Sequence, residues 1–325
     1  MENAYFITGG FGFLGQYIVQ ALSQHAPDAS LRVLVRSQRS THLPVAGLPQ
    51  VSLVLGELNE PETYLPALQG AHTVIHNAAM VSFRKADEAA LHQANIAGTE
   101  HLIQAAAASG CQNFIFISSI SAVDLRPPQA SDESMYPDLE QKRLHDPYGY
   151  SKLIGEQVVR QYAGQMRVII LNPSVIIGPG SPRVVNLIRW LRWLPLLPML
   201  RTVNSFVDVR DVAQAVILAL SRGVSGERYI LTAWNVDQVS FARTALRHMR
   251  RAIPVLTVPG WLIKLGDGLV ALLDWLKINP AFKKFSALNI DKAYSSAKAQ
   301  SGLGWQPQIT LDQSVIDTLA AAGML

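Results

Sequence analysis

The strongest constraint on the fold lies near the N-terminus. Thr8-Gly9-Gly10-Phe11-Gly12-Phe13-Leu14-Gly15 follows the apolar run Ala4-Tyr5-Phe6-Ile7 and opens the helical stretch Gly12–Ser23. Gly9, Gly12 and Gly15 sit between a predicted strand and a predicted helix. That placing allows a tight turn, close approach of backbone to a bound group, and a helix end whose partial positive charge faces an anion. It is the context a dinucleotide fingerprint requires, and that context favours the fingerprint over a ligand-free glycine turn.

The same strand-then-helix rhythm continues. Strands are predicted at Ala4–Ile7, Leu31–Val35, Val51–Leu55, Thr73–His76, Asn113–Ser118 and Arg167–Leu171, with helices at Gly12–Ser23, Glu62–Leu68, Asp87–Ser109 and Tyr148–Ala163. Such alternation builds βαβ units with right-handed crossovers, and runs such as Phe114–Ile117 suit strands covered on both faces. The expected fold class is α/β: a Rossmann-type doubly wound parallel sheet with a smaller, partly inserted C-terminal substrate domain. Residues 1–180 form the dinucleotide-binding unit, 205–232 return to it through Val209–Ser221 and Glu227–Thr232, and 181–325 are mainly substrate-binding. The stretch Ile120–Pro147 reads as a long, proline-bearing loop, a length more often functional than accidental.

At 325 residues and 49% hydrophobic, the chain can bury a large core. Its charge of +4 is scattered rather than clustered, which suits an anionic dinucleotide and disfavours nucleic acid. Cys111 is the only cysteine, so no intramolecular disulfide can form and a reducing cytoplasm is the expected compartment. Met1-Glu2-Asn3 lacks the basic start and apolar stretch of a signal peptide. Trp261–Leu276 is interrupted by Lys264, Asp267 and Asp274 and is too short for a bilayer of roughly 30 Å; it reads as an amphipathic or buried helix with, at most, peripheral membrane contact.

Tyr148 and Lys152 stand four residues apart on a predicted helix and therefore share a face. A cation beside a phenol favours phenolate, so the tyrosine can exchange protons nearer neutral pH. Tyr150 points to another face. Arg36, ending the second strand where an acidic residue would bind a ribose 2′-hydroxyl, can accommodate a 2′-phosphate; Arg39 is a second candidate. NADP is thus preferred and NAD stays compatible. Ala78 and Ala79 would let a cofactor lie close to backbone, and His76 before them reads as a packed strand-end residue. Asn95 could hold a kink or a water. Ser118-Ser119 ends the fifth strand at the edge where such sheets bind ligands. No metal site is expected.

Taken together, Thr8–Gly15, His76–Ala79, Asn95–Thr99, Phe116–Ser119, Tyr148–Lys152, Asn172–Gly180 and Phe206–Ala213 resemble the extended short-chain dehydrogenase/reductases, the epimerase/dehydratase group. Within it the likeness is to dihydroflavonol-4-reductase-like and 3β-hydroxysteroid-dehydrogenase-like members. The resemblance implies Tyr148 as general acid in reduction and base in oxidation. It implies Lys152 on the nicotinamide ribose, lowering the tyrosine pKa, and Ser119 aligning the carbonyl oxygen. Gly9, Gly12, Phe13, Leu14 and Gly15 would hold the pyrophosphate, and Pro173 to Val175 would touch the nicotinamide side. Glu57, before Leu58, stands where the family usually has Asp near adenine. Ser119 is followed by Ile120-Ser121-Ala122 rather than an Asp-Glu pair, which disfavours dehydration. Arg189 and Arg192 could grip the diphosphate of a nucleotide sugar, but Trp190, Leu191, Trp193 and Leu194 around them suit an apolar substrate or ordinary core. The leading expectation is an NAD(P)-dependent reductase of a hydrophobic ketone or aldehyde, or the reverse alcohol dehydrogenase. A nucleotide-sugar epimerase is the alternative, and a non-catalytic dinucleotide sensor ranks below both. A homodimer through the Asp87–Ser109 and Tyr148 helices is allowed.

Overall fold

The computed structural model describes residues 4–37, 44–181, 195–249, 253–259 and 290–324, with 185, 261, 262 and 265. Arg39, Arg189, Arg192 and the aromatic run around them lie outside the described residues, as does most of the Trp261–Leu276 stretch.

Seven parallel strands form the main sheet: β1 (Ala4–Thr8), β2 (Ser30–Val35), β3 (Val51–Leu55), β4 (Thr73–His76), β5 (Asn113–Ile117), β6 (Arg167–Pro173) and β10 (Arg228–Leu231). Their spatial order is β10-β6-β5-β4-β1-β2-β3. The chain winds outward from β1 to β3, then returns to β4 on the other side of β1, where Thr8 pairs with both Leu34 and His76. The order in which strands are added reverses there, and the resulting crevice opens at the carboxyl ends of β1 and β4.

The alternation of β5 and β6 divides the core. Phe114, Phe116, Val168 and Ile170 face one side, against α4 (Gly98–Ala108) and α6 (Pro147–Arg160). Ile115, Ile117, Ile169 and Leu171 face the other, with the buried side chains of α1 (Phe13–His25) and α7 (Val209–Arg222). Both faces are covered, so these strands are apolar throughout; each buried Phe, Leu or Ile contributes about 1.5–3 kcal/mol.

The predicted helix Glu62–Leu68 is broken. A 3₁₀ turn, Pro61–Thr63, precedes the four-residue α2 (Leu65–Leu68). Pro66 has no N–H for a continuous helix, which explains the break. The predicted helix Asp87–Ser109 consists of α3 (Glu88–Leu91), a π-helical turn (His92–Ala97) and α4. The long connection Ile120–Pro147 is not structureless: it holds a 3₁₀ turn, Ile120–Ala122, and α5 (Leu139–His145). Asp138 caps α5, accepting from the Gln141 N–H at 2.8 Å, a pattern the alternation of apolar residues does not reveal.

Two smaller sheets follow. β7 (Val175–Ile177), β9 (Val203–Asp208) and β11 (Trp234–Asp237) form one, ordered β11-β9-β7; β8 (Leu197–Met199) pairs with β12 (Val255–Thr257). After α8 (Gln238–His248), the tail returns through α9 (Ala297–Leu303) to the main core, where Trp305 is fully buried and donates to the Asp211 carbonyl at 2.9 Å. The final helix, α10 (Leu311–Ala321), packs on α8. Among the described residues no helix is long and apolar enough to cross a membrane.

Candidate active site

The carboxyl ends of six neighbouring strands carry the singled-out residues in spatial order. Glu57 and Leu58 follow β3, Arg36 follows β2, the glycine turn follows β1, Ala78 and Ala79 follow β4, Ser119 follows β5, and Pro173 ends β6 with Val175 two residues on. Five strand spacings of about 4.8 Å give roughly 24 Å, enough for an extended dinucleotide.

The glycine turn is shaped by contacts within the chain. Gly9 has φ +66°, and a Cβ there would lie 2.7 Å from the Ala78 nitrogen. At Gly15 a Cβ would lie 2.0 Å from the Gly9 carbonyl oxygen. Both glycines therefore let α1 and the Asn77–Ala78 backbone close on the turn. The Asn77 side chain donates to the Gly9 carbonyl at 3.0 Å, and the Ala78 N–H donates to Thr8 Oγ1 at 3.1 Å. Gly12, the N-cap of α1, supplies no side-chain cap. The first N–H groups of α1 are thus uncapped by any side chain at the mouth of the crevice, and a pyrophosphate fits this cradle. Arg36 and Glu57 are both exposed, beyond the ends of their strands.

His76 is packed, as its strand-end position suggests. It is fully buried and stacked on Phe116 at 5.5 Å, with Nδ1 2.7 Å from Thr8 Oγ1 and Nε2 2.9 Å from Thr99 Oγ1. Thr99 donates its own proton to the Asn95 carbonyl, so Nε2 carries the hydrogen and Nδ1 accepts from Thr8. Burial, then the nearby Lys152, pushes the imidazole pKa down to about 3, which keeps it neutral.

Helix α6 begins where Pro147 stops α5 and Asp146 caps the new helix, Oδ1 accepting from the Gly149 N–H at 2.9 Å. Tyr148 therefore occupies the first turn, Lys152 the second and Glu156 the third. Gly149 presses this first turn against the turn after β5: a Cβ would lie 2.5 Å from the Ser121 carbonyl oxygen and 2.3 Å from Asp146 Oδ2. Ser119 is partly buried, and its Oγ accepts from the Ser121 N–H at 3.1 Å. Tyr148 is 9% exposed and packs edge-on against Phe83, ring centres 5.5 Å apart.

Lys152 is 1% exposed. Its ammonium donates to the Ile117 carbonyl at 2.6 Å and lies 4.3 Å above the Phe116 ring. Burial lowers its pKa to about 7, and the charge of Glu156 opposes that fall. Glu156 belongs to a buried network that the tyrosine–lysine spacing does not reveal. One carboxylate oxygen accepts from Ser118 Oγ at 2.5 Å and from Asn172 Nδ2 at 2.6 Å; the other accepts from Arg228 at 3.1 Å. Arg228 also donates to the Glu133 and Met135 carbonyls and stacks over Tyr136 at 3.9 Å. The available signals were an acidic residue on the Tyr148–Lys152 stripe and an arginine opening an otherwise apolar strand.

Asn95 projects from the π-helical turn and holds the backbone of the loop after β4. It accepts from the Met80 N–H at 2.8 Å and donates to the Met80 carbonyl at 2.9 Å and to Ser151 Oγ at 2.9 Å. Ser151 in turn donates to the Tyr148 carbonyl at 2.8 Å, so one side chain ties the loop after β4 to the first turn of α6. Among the described residues no group of three or more His, Cys, Asp or Glu could hold a metal ion.

A dinucleotide cradle at the reversal point of a parallel sheet, beside a tyrosine–lysine helix, defines the class of nicotinamide-dependent oxidoreductases. The sequence model of the NAD dependent epimerase/dehydratase family matches residues 5–232, and the chain belongs to that family, the extended short-chain dehydrogenase/reductases. It is an NAD(P)-dependent reductase or dehydrogenase of that family. A Synechocystis protein named as a dihydroflavonol 4-reductase is 29% identical over 98% of this chain and 94% of its own. A Stigmatella aurantiaca 4-hydroxy-2-methyl-3-oxo-4-farnesyl-3,4-dihydroquinoline-1-oxide ketoreductase is 30% identical over 98% of this chain and 96% of its own. The crystal structure of gox2253 superposes with a TM-score of 0.84 at 27% identity, covering 98% of both chains.

Proposed function

We propose that the chain transfers hydride reversibly between NADP(H) and the carbonyl carbon of an apolar ketone or aldehyde. The observation that carries this reading is the register of α6, which sets Tyr148 one turn from a buried ammonium at the carboxyl end of β5. When bound, the nicotinamide supplies or accepts the hydride.

The chain's residues divide the remaining work. Gly9, Gly12, Phe13, Leu14 and Gly15 hold the pyrophosphate at the start of α1, and Ala78 and Ala79 flank it. Glu57 and Leu58 border the adenine, and Arg36 meets the 2′-phosphate. Pro173 and Val175 border the nicotinamide. Tyr148 gives its phenolic proton to the carbonyl oxygen in reduction and takes it back in oxidation. Lys152 binds the nicotinamide ribose, and its positive charge favours phenolate. Ser119 Oγ, which accepts from Ser121, retains its own proton to donate to the carbonyl oxygen. The half-exposed Phe83 ring against Tyr148, with Val81 two residues before it and Val175 also exposed, supports an apolar substrate, in keeping with the farnesylated ketone named for the Stigmatella relative.

The test is oxidation of NADPH against aromatic, aliphatic and steroid carbonyls, with Tyr148→Phe as control. The expected result is turnover with apolar ketones and loss of at least about 10²-fold in the variant. Unchanged turnover in Tyr148→Phe would refute the mechanism. Tightly retained oxidised cofactor without net oxidation of NADPH would favour a nucleotide-sugar epimerase instead.

A further inference from the structure

The loop between β4 and α3 presents a half-exposed aromatic ring beside Tyr148. Phe83 is 52% exposed and Val81 45% exposed, yet Phe83 lies edge-on to the Tyr148 ring with centres 5.5 Å apart. The loop is pinned on both sides of that ring. Before it, both backbone groups of Met80 are bound by Asn95. Around it, Ser82 Oγ donates to Asp87 at 2.6 Å and accepts from the Arg84 N–H at 3.2 Å. A half-exposed ring on a segment held this firmly is a pre-formed apolar surface, and its ordering cost is already met before any ligand arrives.

Its position indicates which part of a ligand it meets. A carbonyl oxygen receiving the Tyr148 proton must come within about 2.6–3.2 Å of the phenol oxygen. The group attached to the carbonyl carbon then enters the space beside the tyrosine ring, which Phe83 borders. We propose that Phe83 is the specificity-determining wall for this group, and that it selects carbonyl substrates bearing a ring next to the reacting carbon. The ring of the substrate packs on the open part of Phe83, offset or edge-on as aromatic pairs prefer, while Val81 extends the wall. The inference rests on the hydride-transfer reading of the Tyr148 site.

The experiment compares acetophenone with 2-butanone in the wild type, Phe83→Ala and Phe83→Leu, using NADPH. In Phe83→Ala the KM for acetophenone should rise about tenfold or more. Any loss for 2-butanone should be smaller by about tenfold, and NADPH affinity should hold. Phe83→Leu should recover part of the loss. Equal loss for both ketones, a fall in kcat alone, or no change overturns the proposal, because each assigns the ring to support of Tyr148 or to nothing. Should the wild type oxidise no NADPH, calorimetric titration of acetophenone into NADP⁺-saturated protein decides the matter separately. Weaker binding in Phe83→Ala sustains the wall even as the reaction fails, and equal or absent binding ends it.

Discussion

Glu156→Gln is the perturbation that the buried network makes most informative. Glutamine keeps the shape, and its carbonyl oxygen can still accept from Ser118 and Asn172, the bonds now 2.5 and 2.6 Å long. Its NH₂ group then faces the Arg228 guanidinium, where the carboxylate accepts at 3.1 Å. Arg228 is 1% exposed and Glu156 fully buried, so no water replaces the lost acceptor. Removing one partner of a buried pair costs about 3–5 kcal/mol. Arg228 retains two carbonyls and the face of Tyr136, which argues for the lower end, about 3 kcal/mol. At roughly 2 °C per kcal/mol for a chain of this size, the melting temperature should fall by about 6 °C.

The same change has a second, independent readout. Burial holds the Lys152 pKa at about 7 in the folded protein, and the Glu156 charge keeps it from falling further. The ammonium is present below that pH and lost as pH rises through it. Removing the carboxylate lowers the pKa, so the alkaline fall of kcat/KM for the free enzyme should move to lower pH in Glu156→Gln. The sign for stability is opposite to that of an ordinary ion pair. With the folded pKa below the unfolded value near 10.5, the unfolded state binds the proton more tightly. The Lys152 contribution is therefore favourable above about pH 10.5, fades as pH falls, and is gone below about 7. Thermal melts and a pH–rate series check both effects. A melting temperature within about 1 °C of wild type would refute the cost assigned to unpairing Arg228, and an alkaline limb that stays in place would refute the claim that this carboxylate holds the lysine charged.

Gly149→Ala should lower kcat by about 10²-fold with the dinucleotide cradle intact, because its Cβ would meet the Ser121 carbonyl and displace Tyr148 from the turn after β5; steady-state kinetics and NADPH titration check it. Arg36→Ala should weaken NADPH by about thirtyfold, the equivalent of about 2 kcal/mol for a charge-assisted hydrogen bond, and leave NADH unchanged. Calorimetry with both cofactors separates these outcomes, and equal effects on the two would remove Arg36 from the 2′-phosphate.

The features readable in advance were those with a local period. Ala4–Ile7, Phe114–Ile117 and the other strands of the main sheet announce themselves as apolar runs between turns, and Tyr148 and Lys152 as a helical pair. Helix interruptions were harder. The π-helical turn at His92–Ala97 has no local signature, because it is fixed by Asn95 reaching Met80, fifteen residues back, and Ser151, fifty-six residues on. Arg228 and Glu156 are equally non-local, separated by seventy-two residues and joined only once β10 pairs with β6. Likewise nothing in the run Met80-Val81-Ser82-Phe83-Arg84-Lys85 marks Phe83 out, and only its contact with Tyr148 gives it a place.

These non-local contacts share one electrostatic consequence. The buried groups that α6 and β10 bring together include the cations Lys152 and Arg228 and the carboxylates of Glu156 and Glu133, while His76 is kept neutral. Taking the Lys152 ammonium out of water is costly, which is why the lysine sits at about 7 rather than near 10.5, and the Glu156 charge offsets part of that cost. An electron-rich partner at the crevice lowers that cost. In the proposed reaction a developing phenolate on Tyr148 is such a partner, so the burial that makes the resting ammonium costly is what would favour proton release from the tyrosine.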